Sequence, residues 1–138
     1  MRFMFIVKAN KDSEAGAIPT ESALAEMAKF HEELQQAGVL LDASGLRPSA
    51  QGWRIKHVAG KRTVVDGTFT ETKELIAGYT LIQVKTKEEA MEWARRFPNP
   101  ALEGKDGEIE VRQLYELEDF GPGEAIQRFR KMGVGEQR

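Results

Sequence analysis

The chain has 138 residues, a size typical of one domain that buries about two-thirds of the surface its unfolded form exposes. Its 20 basic and 22 acidic side chains leave a formal charge of −2, which provides no positive field for gathering nucleic acid. Cysteine is absent, so disulfides, thiolate nucleophiles and thiolate metal sites are excluded.

The N-terminal segment predicts a strand rather than an export signal. Phe3–Val7 is apolar at every position, but it is shorter than the apolar region of a signal peptide and is followed by Lys8 and Lys11. No apolar stretch approaches the roughly 20 residues that a membrane-spanning helix requires. We therefore expect a soluble, cytoplasmic protein with no membrane partner.

A helix is predicted next, because Thr20 is suited to cap one and largely apolar side chains then recur at helical spacing. These side chains are Leu24, Met27, Phe30, His31 and Leu34. Gly38 is expected to end this helix.

The middle of the chain predicts strands. Val39–Leu46 forms the second one, and Trp53–Val58 and Lys61–Val65 then flank Ala59-Gly60, a pattern that favours a hairpin with a short loop. Gly78–Val84 is predicted to be a further strand.

A second helix is predicted to begin at Thr86, which with Glu89 forms a capping box. Its apolar stripe consists of Ala90, Trp93, Ala94 and Phe97. Ile109–Leu114 is predicted to be the last strand, and Glu124–Met132 a short amphipathic helix at the C-terminus.

This order of elements predicts an α+β fold, a ferredoxin-like βαββαβ plait with an added hairpin and a C-terminal tail helix. The plait should span residues 1–120 and the tail helix residues 121–138. Two helices cover only one face of such a sheet, yet Met4 and Ile6 place apolar groups on the other face. A second copy of the chain is the simplest cover, so we expect a homodimer.

The run from Val65 to Tyr79, VDGTFTETKELIAGY, closely resembles the Asp-Gly-Pro-Phe-Ala-Glu-Thr-Lys-Glu signature of one branch of the YCII-related family. The resemblance covers roughly residues 1–120 and includes Gly45–Ser49, the Pro98-Asn99-Pro100 run and Gly107–Arg112. It implies a ferredoxin-like fold, usually as a dimer whose two sheets pack into an α+β barrel, with a cleft suggested as an active site.

The chain departs from the family pattern at informative positions. Thr68 stands where the signature has Pro, and Thr70 replaces Ala and adds a hydroxyl. Members of the founding branch carry a His in the first helix and an Asp beside a Pro after the second, proposed as a catalytic pair. Met27 and Phe97 occupy those positions here, so the chemistry of the founding branch does not transfer.

Three residues are candidates for acid/base catalysis. Asp66 and Glu71 bracket a hydroxyl-rich turn that can bring both carboxylates to one pocket. Alternatively, Asp66 bonds only the backbone of its own turn and Glu71 caps the stretch that follows. His31 lies on or beside the apolar stripe of the first helix, where it serves either as a base or as a packed helix residue bonded to backbone or water.

Ligand binding is predicted for Arg47, Lys73 and Thr70. Arg47 and Lys73 are suited to hold an anionic group such as a carboxylate, although either can instead pair with Glu71 or Glu74. The hydroxyl of Thr70 adds a hydrogen-bonding group in the same turn.

Two functions remain open, and the fold cannot separate them. One is a small enzyme that acts on a small polar metabolite by acid/base chemistry without a cofactor. The other is a non-catalytic, dimeric ligand-binding or regulatory protein. A metal site is not expected, because the two histidines are far apart in sequence and no thiolate is available. Nucleic-acid binding is not expected either, since the aromatic strand pattern of RNA-recognition modules is missing.

Overall fold

The computed structural model describes residues 1–138 and contains six strands and four α-helices, joined in places by 3-10 turns. The strands are β1 (Arg2–Lys8), β2 (Leu40–Gly45), β3 (Trp53–Val58), β4 (Lys61–Asp66), β5 (Ile76–Gln83) and β6 (Ile109–Gln113). The helices are α1 (Lys11–Glu14), α2 (Glu21–Gln36), α3 (Lys87–Arg95) and α4 (Glu124–Met132). None of the helices combines the length and hydropathy needed to cross a membrane.

Four strands form one antiparallel sheet in the order β2-β5-β1-β6, and β3 pairs with β4 in a separate hairpin. Helix α2 connects β1 to β2, and α3 connects β5 to β6, so each helix joins strands that are not neighbours in the sheet. This is the strand order of a βαββαβ plait. The predicted α+β ferredoxin-like fold, with its added hairpin and tail helix, is confirmed.

The ends of α2 and the start of α3 carry caps at the predicted residues. The Thr20 hydroxyl accepts a hydrogen bond from the backbone N–H of Ala23 at 3.2 Å and caps α2. Gly38, just beyond the end of that helix, has the left-handed φ of +74° that favours glycine. At the start of α3 the Thr86 hydroxyl accepts from the N–H of Glu89 at 3.1 Å, but the Glu89 side chain does not bond back, so only half of the predicted capping box forms.

The hydrophobic core lies between the sheet and the helices α2 and α3. Its buried residues are Phe3, Phe5, Phe30, Leu34, Ile82, Val84 and Ala90. Alternation along β1 directs Phe3 and Phe5 toward the helices, and burial of side chains of this size stabilises the fold by about 1.5–3 kcal/mol each. The rings of Phe5 and Phe30 both meet Phe97 edge to face, with centroids 6.0 and 5.2 Å apart.

The opposite face of the sheet is also apolar. Met4 pairs with Leu81 and Ile6 with Tyr79 across β1 and β5, and all four side chains are half-buried. The two core helices cannot contact this face, because they cover the other side of the sheet.

The signature run leaves the hairpin and packs against the segment after β2. The backbone N–H of Phe69 donates to the Ser49 hydroxyl at 3.0 Å, and the Arg54 guanidinium lies 3.7 Å from the centre of the Phe69 ring. Gly67 approaches so closely that a Cβ there would lie 1.8 Å from the Ser49 carbonyl oxygen. Only glycine fits at this position.

Gly67→Ala is therefore expected to lower the free energy of unfolding by about 2–3 kcal/mol, because the added methyl group overlaps the backbone of Ser49. Denaturant unfolding followed by circular dichroism measures the change. Gly52→Ala is the matched control, since its Cβ would lie an ordinary 3.6 Å from the same carbonyl oxygen. Equal losses in the two variants would contradict the steric argument.

Candidate functional site

A cleft of about 860 Å³ opens between helix α2 and the helix-facing side of the sheet. Its volume lies within the range typical of small-molecule sites. The sheet side has room because β2 and β5 contribute small residues there, among them Ala43, Gly45 and Gly78. The loop between α1 and α2 and the segments that follow β2 and α3 form the rim.

His31 of α2 and Thr80 of β5 meet in the wall of the cleft. The His31 Nε2 atom lies 2.8 Å from the Thr80 hydroxyl oxygen, and its Nδ1 atom lies 2.7 Å from the Met27 carbonyl oxygen. A carbonyl oxygen only accepts, so Nδ1 carries a proton and donates it to Met27. In the neutral ring Nε2 therefore accepts the hydrogen bond of the Thr80 hydroxyl. The three groups form one directed chain, from Thr80 to His31 to the backbone of Met27.

The packing around this chain fixes its geometry. Thr80 is 2% exposed and pairs with Phe5 on one side and with Ala43 on the other. The His31 ring is half-buried and meets the Phe97 ring edge to face, with centroids 6.2 Å apart. The Met27 carbonyl and the aromatic neighbour together hold the His31 ring in one orientation.

One further ionisable side chain, that of Asp12, lines the cleft and already has a partner. The Asp12 carboxylate accepts from Lys105 Nζ at 3.0 Å, and this hydrogen bond, together with the charge of Asp12, raises the pKa of Lys105. On the opposite face of the sheet, the Tyr79 hydroxyl donates to the Asp42 carboxylate at 2.8 Å.

Arg47 lies at the rim, two residues beyond the end of β2. Its side chain is exposed, and its guanidinium donates to the Gln51 side-chain oxygen at 3.1 Å. It forms none of the ion pairs of the structure, so the alternative pairing with Glu71 or Glu74 is not observed.

The structure brings together only two of the predicted site residues, His31 and Arg47. Asp66, Thr70, Glu71 and Lys73 are exposed and line neither this cleft nor the smaller one of about 430 Å³ beside it. Their side chains make no hydrogen bond, so neither local bonding by Asp66 nor capping by Glu71 occurs. The catalytic and binding roles assigned to these residues stay predictions, and the geometry of the cleft does not depend on them.

Thr80 was missed by the sequence analysis, because it lies 49 residues from His31 and its neighbours resemble those of any buried strand. The strand register would have been needed to place it opposite the helix. No group of three or more His, Asp or Glu side chains is placed to hold a metal ion.

The fold is that of an α+β protein with an open cleft between helix α2 and the sheet. Comparison with known families gives the class: the model of the YCII-related domain matches residues 1–118. The chain belongs to the YCII-related family.

A curated relative is an uncharacterised protein from Rhizobium meliloti (strain 1021), which is 32% identical over 94 residues, covering 68% of this chain and 74% of the relative. Among solved structures, the chain is similar to 5-chloro-2-hydroxyhydroquinone dehydrochlorinase from Burkholderia phenoliruptrix AC1100 in complex with 2,5-dihydroxybenzoquinone. The identity is 12%, the match covers 84% of this chain and 95% of that one, and the TM-score is 0.41. A similarity of this level supports no inference about the reaction of the present chain.

The hydrogen bonds of His31 predict its tautomer. Long-range ¹H–¹⁵N correlation spectra at a pH where the ring is neutral should show a proton on Nδ1 and none on Nε2. His57→Gln leaves His31 as the only histidine of the chain, which makes the assignment direct. Thr80→Val should shift the Nε2 resonance by removing its donor, and a proton on Nε2 of the wild-type protein would contradict the arrangement.

Proposed function

We propose that this protein binds a small molecule in the cleft and acts on it by acid/base chemistry without a cofactor, with His31 as the base. The observation that supports the proposal is the directed hydrogen-bond chain from Thr80 through His31 to the Met27 carbonyl, in the wall of a cleft large enough for a small molecule. A base oriented by a third group is the arrangement that proton transfer uses in enzymes.

The proton step follows from the direction of the chain. An acidic proton of the bound molecule passes to the Thr80 oxygen while the hydroxyl proton of Thr80 passes to His31 Nε2. The product is an imidazolium whose Nδ1–H remains bonded to Met27, together with the anion of the bound molecule. The reverse transfer, from His31 through Thr80, returns a proton to the bound molecule, either at the atom that lost it or at a different atom. No electron acceptor and no metal ion enters this balance.

The walls favour such a step. Val7, Met27 and Phe97 are apolar residues that line the cleft together with His31, and apolar surroundings strengthen electrostatic interactions. Thr80 is rigid, because it belongs to a central strand with partners on both sides. The base and the hydroxyl therefore do not need to reorganise during the transfer.

The binding-protein alternative has one observation in its favour. Both ring nitrogens of His31 already have partners within the protein, and no second unpaired acid lies beside them in the cleft. A protein that only binds its ligand needs no free base. The two functions differ in whether bound molecules exchange protons.

Hydrogen–deuterium exchange at a carbon atom of the bound molecule distinguishes the acid/base enzyme from the binding protein. In D₂O the wild-type protein should accelerate α-proton exchange of small ketones and of keto acids whose ketone lies far from the carboxylate, such as 4-phenyl-2-butanone and 5-oxohexanoate, as followed by ¹H NMR. His31→Gln should lower the acceleration by about 10²–10⁴-fold, the usual contribution of a general base. Thr80→Val should also lower it, whereas Thr80→Ser keeps the hydroxyl and should retain most of it.

His57→Gln is the control for this experiment, because His57 lies on the exposed hairpin and does not line the cleft. Its exchange rates should equal those of the wild type. Exchange no faster than in buffer, with probes that demonstrably bind, would support the binding-protein alternative.

We also propose that the chain forms a homodimer through the sheet face that carries Met4 and Ile6. The half-buried apolar side chains of that face support the proposal, since a second copy would remove them from water.

Sedimentation at micromolar concentration should therefore give about twice the monomer mass of 15.5 kDa. Ile6→Lys should shift the protein toward the monomer, because it places a charge within the interface. The variant should still fold, since the lysine lies opposite Glu110 on the neighbouring strand. Ile55→Lys changes an exposed apolar residue of the hairpin and should leave the mass unchanged. A wild-type monomer would contradict the proposal.

A further inference from the structure

One charged side chain that lines the cleft has no counter-charge. Asp12 is paired with Lys105. His31 is bonded to Thr80 and Met27. Arg47 alone carries a full charge at the rim without a carboxylate partner, and its Gln51 neighbour supplies only a neutral acceptor. The unbalanced charge of the cleft is therefore positive and belongs to Arg47.

Apolar side chains surround the same opening and are not covered by the chain itself. Ile18, Leu24 and Leu46 all line the cleft and are 81%, 45% and 46% exposed. Three large aliphatic side chains around one opening favour contact with an apolar body rather than with a sugar or a nucleotide.

The strand register sets the spacing between Arg47 and the acid/base pair. Ala43 lies directly opposite Thr80, and the ladder continues one residue beyond β2, where the N–H of Leu46 donates to the Ala77 carbonyl at 2.8 Å. Arg47 follows Ala43 by four residues, which in an extended strand is roughly 13 Å of backbone. A ligand that meets both groups carries its anionic group and its reacting group at opposite ends.

We propose that the cleft takes monocarboxylates with an apolar body of several carbons, the carboxylate bound by Arg47 and the far end directed toward His31 and Thr80. The identity of the reacting end rests on the proposed function, whereas the carboxylate contact does not. A guanidinium suits this task because its fork binds both oxygens of a carboxylate at once. The hydrogen bond to Gln51 holds the fork at the rim without neutralising it.

Matched probes test the contact directly by isothermal titration calorimetry. The full-length protein should bind 4-phenylbutyrate about tenfold or more tightly than 4-phenyl-1-butanol, which has the same apolar body and no charge. Arg47→Gln should bring the affinity for the acid down to that for the alcohol and leave the alcohol unchanged. Arg47→Lys should keep part of the preference, because it keeps the charge and loses the fork.

Arg62→Gln is the matched control, since Arg62 is an exposed hairpin arginine outside the cleft. It should retain the full preference for the acid. Equal affinity of the wild-type protein for acid and alcohol, a loss in Arg62→Gln as large as in Arg47→Gln, or no binding of either probe would each overturn the proposed ligand class.

Proton exchange tests the acid/base function, and preference for the acid over the alcohol tests the ligand class, so the two can fail separately. Proton exchange that depends on His31, without a preference for the acid, would overturn the ligand class and keep the acid/base function. A preference for the acid that depends on Arg47, without any proton exchange, would support the ligand class and remove the acid/base function.

Discussion

Contact among three phenylalanines, Phe5, Phe30 and Phe97, determines where the candidate site can form. They come from β1, from α2 and from the segment after α3, and their rings meet edge to face. Because Phe30 is fixed in the core, the next residue of the helix, His31, must project about 100° further round the axis, toward β5. Thr80 lies there on the same sheet face as the buried Ile82, two residues along the strand. Core packing therefore orients the His31 ring.

Core and cleft are two halves of one layer between the sheet and the helices. Large side chains such as Phe3 and Ile82 fill one half completely. In the other half the strands offer Ala43, Gly45 and Gly78, and a Cβ at Gly78 would already lie 2.9 Å from the Ser44 carbonyl oxygen. Small residues close together leave space that the helix cannot fill, since its axis is fixed by the aromatic contacts. The opening is thus a consequence of residue size rather than of a missing element.

The long helices and the strands could be predicted from the sequence, because caps, glycines and apolar periodicity depend only on residues near one another in the chain. Thr20 and Gly38 mark the ends of α2, and the tail helix has the predicted bounds Glu124–Met132. Helix α1 was missed, because its four residues are too few for apolar periodicity and depend on a capping box with Asn10. The site was predicted only in part. His31 and Arg47 stood out by residue type, but the contact between His31 and Thr80 depends on strand register, which no short-range pattern contains.

The part of the signature run from Asp66 to Glu74 lies outside the cleft, yet it touches the segment from which Arg47 projects. Two residues beyond Arg47, the Ser49 hydroxyl accepts from the N–H of Phe69, and the Ser49 N–H donates to the Glu14 carboxylate at 2.8 Å. Gly67 meets the Ser49 carbonyl at a distance that only glycine permits. The backbone after β2 is thereby held between α1 and the signature loop. A polar, glycine-containing loop can influence a site without lining it, since it fixes the position from which a long side chain reaches the rim.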